Sequence, residues 1–102
     1  MTYQFVLQFQ VSSLGGYDAI IAAEEMLREE LGNIGRVDGH DAGSGEMNIF
    51  IFTDHPKLCF QAVQQIFRAR NFERDMKVAF RKCDEDDYTI LHPPGLTEFV
   101  IA

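Results

Sequence analysis

His40, Asp41, Ser44 and Glu46 fall within one short stretch, Gly39-His-Asp-Ala-Gly-Ser-Gly-Glu46. An imidazole, a hydroxyl and two carboxylates around a glycine-rich turn form a donor set suited to a divalent cation, or to general acid and base work. Neighbours on a strand point to opposite faces, so His40 and Asp41 diverge unless a bulge intervenes. A metal also asks for three or four protein ligands, and no recognised ligand spacing is present. Turn chemistry and solvated charge account for the same residues. These four residues are the candidate ligand-binding site; they leave the metal question open and imply no cofactor.

Other chemistry-bearing residues are weaker. Asp54-His55-Pro56 sets an imidazole beside a carboxylate, but it also reads as a helix start with Asp54 as cap and Pro56 in the first turn. Gly15-Gly16 precedes a helix without the GxGxxG fingerprint or a Walker lysine. No Ser or Cys stands with a base and an orienting acid, and His92, before Pro93-Pro94, reads as a loop residue. No catalytic residue is assigned, and the expectation leans away from an enzyme.

The elements that must position these residues are legible from periodicity. Tyr3, Phe5, Leu7, Phe9 and Val11 alternate with Gln4, Val6, Gln8 and Gln10, which predicts a strand. Residues 17–31 carry Ile20, Ala23, Leu27 and Leu31 on one helical stripe, with Glu24 and Arg28 as an i,i+4 pair on another and Gly32 as the stop. Residues 34–41 and 47–53 read as two strands joined through 42–46, and the second, apolar on both faces, belongs inside the sheet. A second helix starts near Pro56, with Phe60, Val63, Ile66 and Phe67 on its buried stripe, and ends near Asn71. Strands follow over 76–81 and, past the acidic run Asp84-Glu-Asp-Asp87, over 88–91.

The expected fold is therefore α+β, a ferredoxin-like split βαβ sandwich (βαββαβ) with an added C-terminal β-strand, the antiparallel sheet carrying two helices on one face. The spatial order is then 4-1-3-2, with the fifth strand beside the fourth. The core takes Tyr3, Phe5, Leu7, Phe9, Val37, Met76, Val78 and Phe80 against both helices. Ser12, Ser13, Gly15, Gly16, Glu73 and Asp75 join the hairpin at one end of the sheet, while Thr53, Asp54, His55 and the acidic turn lie at the other. Strand residues at ~3.3 Å each separate the ends by roughly 20 Å, too far for His40 and His55 to share a metal.

The sheet face away from the helices would carry Gln4, Gln8, Gln10, Arg36, Asp38, His40, Lys77 and Arg81, with Val6 and Ala79 between them. Such a face is either solvated, filled by a polar ligand, partly covered by residues 96–102 through Leu96, Phe99 and Ile101, or in contact with a partner. Arg36, Asp38, Phe99 and Ile101 are the candidate interaction surface.

Composition narrows the partners. A chain of 102 residues, 46% hydrophobic with nine Phe, makes a single domain over 1–102. Sixteen acidic residues against nine Lys and Arg, a net charge of -7, repel a phosphate backbone, so no nucleic acid is expected. The Gln on the exposed face of the first strand also lacks the stacking aromatics of RNA-binding sheets. No stretch approaches the ~20 apolar residues of a membrane span. Cys59 and Cys83 form no framework or CxxC and read as ordinary buried thiols, and a cytoplasmic setting is expected.

Val37-Asp-Gly-His-Asp-Ala-Gly-Ser-Gly-Glu-Met-Asn-Ile-Phe50, with Thr53-Asp-His-Pro56 and Asp87-Tyr-Thr-Ile-Leu-His-Pro-Pro-Gly-Leu-Thr-Glu-Phe99, resembles an uncharacterised group of small bacterial proteins. The resemblance covers most of the chain. It implies a single compact domain in a bacterial cytoplasm and transfers no activity. The expected function is that of a small non-catalytic protein that binds another protein or itself, as a homo-oligomer. Charge alone also fits an immunity-like role against a basic toxin. The alternative is a protein or enzyme that binds a small ligand or metal at the hairpin end through His40, Asp41 and Glu46.

Overall fold

Five strands and two helices follow the order β1 (Tyr3–Gln10), α1 (Tyr17–Glu30), β2 (Arg36–Gly43), β3 (Glu46–Thr53), α2 (Pro56–Arg68), β4 (Lys77–Lys82) and β5 (Thr89–His92). The structure is a computed structural model and describes residues 2–10, 16–68 and 76–101. The readings that involve Val11, Ser12, Ser13, Gly15, Asn71, Glu73 and Asp75 lie outside the described residues. The strands form one sheet in the order β2-β3-β1-β4-β5, with every neighbouring pair antiparallel. The sheet carries β2 at one edge and β5 at the other.

The two-residue alternation of β1 decides the layers. Phe5, Leu7 and Phe9 are buried in one cluster with Ile20, Ala23 and Leu27 of α1 and with Cys59, Val63 and Phe67 of α2, so both helices lie on the same face. Central β3 adds Met47, Ile49 and Ile51 to that cluster, and Val78 of β4 completes it. Tyr3 and Phe80, expected in the core, are only half-buried. They meet edge to face at its margin, with ring centroids 5.6 Å apart.

Local chemistry sets the boundaries. Leu31 N–H closes the last turn of α1 on Leu27 O at 3.0 Å, and Gly32 leaves the helix at φ 60°, a left-handed conformation that glycine adopts without a Cβ penalty. The β2–β3 connection tightens to Ser44 and Gly45, whose φ values of 53° and 76° match a two-residue primed turn. Gly35 is required by contact, because a Cβ there would lie 2.8 Å from Ile51 Cγ2. Thr53, fully buried, donates to Ile34 O at 2.6 Å and accepts from His55 N–H at 3.0 Å. It thereby ties the loop before β2 to the start of α2.

Asp54 does not stand at the helix cap. His55 occupies that position, since α2 begins at Pro56 and His55 O accepts from Cys59 N–H at 2.9 Å. Asp54 Oδ1 instead accepts from Thr2 N–H at 2.8 Å and pins the start of β1.

Candidate functional site

The hairpin does not gather its polar residues into one site. Between Val37 and Gly39 the β2–β3 register shifts, so that Gly39 stands opposite Phe50, His40 opposite Ile49 and Asp41 opposite Asn48. Ile49 points into the core, and the bulge at Asp38 therefore turns His40 to the helix face rather than the open one. This corrects the placement of His40 beside Arg36 and Asp38 on the open face. Its Nδ1 donates to Glu24 Oε2 at 2.8 Å.

Glu24 is a residue whose role periodicity alone did not reveal. It is buried, and Arg28 Nη2 approaches its other oxygen at 3.7 Å. Arg28 Nη1 donates to Val37 O at 3.1 Å. The expected i,i+4 pair is present, but its carboxylate serves as a clamp between α1 and the edge strand β2. A carboxylate on Nδ1 fixes the ring and turns Nε2 outward, as for an oriented base. Among the described residues, the hydrogen bonds and ion pairs of this cluster include no hydroxyl or thiol.

The remaining hairpin residues lie elsewhere. Asp41 is exposed on the open face, Ser44 is exposed at the turn, and Glu46 accepts from Gln10 Nε2 at 3.2 Å. Glu46 and Gln10 border a cleft of about 400 Å³ where β1 ends, together with Phe9, Met76, Lys77, His92 and Pro93. His92 is thus the last residue of β5 rather than a loop residue, and its ring lies 6.3 Å from that of Phe60 on α2. Among the described residues, no group of three or more His, Cys, Asp or Glu could hold a metal ion.

A second polar cluster forms at the opposite end of the sheet, where Tyr3 pairs with both Thr53 and Lys82. There the Arg81 guanidinium reaches under the acidic turn, and its Nη1 donates to Lys82 O, Cys83 O and Glu85 O at 3.1, 3.0 and 2.9 Å. One cation thereby organises the backbone that carries Asp84, Glu85, Asp86 and Asp87, all exposed. Lys82 Nζ lies 3.8 Å from Glu85 Oε1. Among the described residues, no cation reaches Asp84, Asp86 or Asp87 within ion-pair distance. Beside the turn, Tyr3, Phe80 and Thr89 help line a cleft of about 370 Å³.

Among the described residues, Asp54 and Cys59 are shifted from their ordinary pKa values. The Thr2 backbone N–H holds the Asp54 carboxyl below its usual 3.8, against a smaller opposing effect of burial. Burial pushes the Cys59 thiol up to about 12. Cys59 is buried as expected, but Cys83 is exposed, because it stands in the turn beyond β4.

The candidate interaction residues are dispersed as well. Arg36 lies over the Phe52 ring at 5.4 Å from its centroid, Asp38 is exposed in the bulge, and the Phe99 ring is 5.0 Å from Tyr88. Ile101 is half-buried. Comparison with protein-family models, curated proteins and solved structures yields no match.

Proposed function

We propose that this chain is a non-catalytic protein-interaction domain of ferredoxin-like topology, and that it receives a basic segment of a partner protein on the acidic turn. The observation that carries this reading is the Arg81-organised backbone beneath three exposed carboxylates that no cation among the described residues reaches. An ordered anionic turn loses little conformational entropy when a cation docks, and the net charge of -7 steers basic partners toward it. Tyr3 and Phe80 line the adjoining cleft, where the apolar stem of an Arg or Lys side chain can pack. The cytoplasmic setting expected from a sequence without a cysteine framework goes with this reading.

Calorimetric titration with an arginine-rich peptide tests this reading. Binding weakens with salt, and the triple variant Asp84→Asn, Asp86→Asn, Asp87→Asn loses about tenfold or more in affinity. Neutralising Asp41 and Glu46 at the far end leaves binding unchanged. Equal affinity in the wild type and the triple variant would overturn the assignment.

A second reading is favoured by the cleft at the end of β1, where Glu46, Lys77 and His92 border an apolar floor of Phe9 and Met76. Such a cleft suits a small polar ligand. A ligand held there raises the unfolding temperature of the wild type and not that of Glu46→Gln, whereas no shift across a panel of metals and small metabolites removes this reading.

A further inference from the structure

Glu46 and Lys77 carry opposite charges and border the same cleft of about 400 Å³ at the end of β1, yet they do not pair. Glu46 stands opposite Gln10 on one side of β1, and Lys77 stands opposite Gln8 on the other. Two strand spacings therefore set their backbones roughly 10 Å apart. Glu46 takes a neutral donor, Gln10 Nε2 at 3.2 Å, and among the described residues no ion pair or hydrogen bond engages the Lys77 ammonium. Gln8 cannot bridge the two charges, because it is almost fully buried and its Nε2 already donates to Asn48 Oδ1 at 3.0 Å and to Val100 O at 2.9 Å, where residues 96–101 cross the open face. Pro93 and the buried Phe9 and Met76 supply apolar walls.

A carboxylate and an ammonium held apart across a cleft are complementary to a ligand that bears both charges itself. Building on the reading of this cleft as a ligand site, we propose that it binds a free α-amino acid with an apolar side chain. The ligand ammonium meets Glu46, its carboxylate meets Lys77, and its side chain lies against Phe9, Met76 and Pro93. Charge-assisted hydrogen bonds at both ends fix its orientation. The charges of Glu46 and Lys77 cancel, so the site selects a dipolar ligand twice over: Glu46 repels a simple anion and Lys77 repels a simple cation. A volume of about 400 Å³ lies toward the small end of ligand pockets, which suits a molecule of amino-acid size. The acidic turn lies at the other end of the sheet and takes no part.

The test is calorimetric titration of the full chain with L-leucine and L-phenylalanine up to about 10 mM, beside N-acetyl-L-leucine and L-leucine methyl ester, each of which keeps one charge. The free amino acids bind, and each blocked form binds about tenfold or more weakly. Glu46→Gln and Lys77→Gln, both checked for an unchanged unfolding temperature, weaken leucine to the same degree. Neutralising Asp84, Asp86 and Asp87 leaves leucine binding as it was. No binding of either amino acid overturns the proposal. So does a blocked form that binds as tightly as leucine, since one charge then suffices and the terminus of a peptide would do. If a ligand without both charges raises the unfolding temperature of the wild type but not of Glu46→Gln, and leucine does neither, the cleft remains a ligand site and the amino-acid assignment alone falls.

Discussion

β1 sends Phe5, Leu7 and Phe9 to one side of the sheet and Gln4, Val6, Gln8 and Gln10 to the other, and the two sides are completed by different means. Toward the helices, seventeen buried residues among those described, from six elements and the flanking loops, join in one apolar cluster. On the other side, a six-residue strap without regular structure covers a face whose centre is a pair of buried amides. The helix face is held by apolar burial, which is strong and undirected. The strap face is held by a few directed contacts, the Gln8 amide on Val100 O and the Phe99 ring on Tyr88 among them. Most of the apolar burial resides on the first, and the buried polar contacts reside on the second.

The sharpest way to break this contrast is to truncate an aromatic on each side. Phe9→Ala lowers the unfolding free energy by about 3–5 kcal/mol in urea denaturation. Half-buried Phe52→Ala costs about 1–2 kcal/mol, part of it from the Arg36 contact. Equal losses would dissolve the distinction. Next in size, Gly35→Ala forces a methyl against Ile51 on the helix face and costs about 1–3 kcal/mol.

The amide pair offers a subtler comparison. Gln8→Leu leaves Asn48 Oδ1 buried without its donor and costs about 1–2 kcal/mol, and adding Asn48→Leu recovers part of the loss. If the double variant is less stable than the single, the amides do not act as a pair. For the thiols, a chromogenic disulfide reagent modifies Cys83 promptly in the native protein and reaches Cys59 only on unfolding, because Cys59 is buried with its thiol pushed up to about 12. Two fast thiols would show that the helix face opens readily.

The smallest effect is at Asp54. Its pKa is lowered on folding, so its contribution is complete above the unfolded value near 3.8 and is lost as pH falls through the folded value. The stability difference between wild type and Asp54→Asn therefore shrinks as the solution is acidified below about pH 4. A difference that is constant down to pH 2 would mean that the Thr2 contact does not form in solution.

The elements were readable from the chain because alternation and helical spacing are local. Tyr3 to Gln10 and Glu46 to Thr53 declare their strands, and Ile20, Ala23 and Leu27 declare the buried stripe of a helix. The candidate site was less legible. His40, Asp41 and Glu46 are close in sequence, yet a one-residue bulge at Asp38 sends His40 through the sheet to Glu24, sixteen residues away. Position in sequence says nothing about which carbonyl a long side chain will reach, so the role of Arg81 beneath the acidic turn was equally hidden.

By itself, then, the sequence determined the elements, the net charge and the apolar surface that has to be buried, since each depends on composition or on spacing along one segment. The register shift in β2, the burial of Glu24 and the path of residues 96–101 over Gln8 were decided by tertiary structure. Each of these depends on which segments meet across the sheet, and long-range pairing satisfies polar groups that no local pattern assigns.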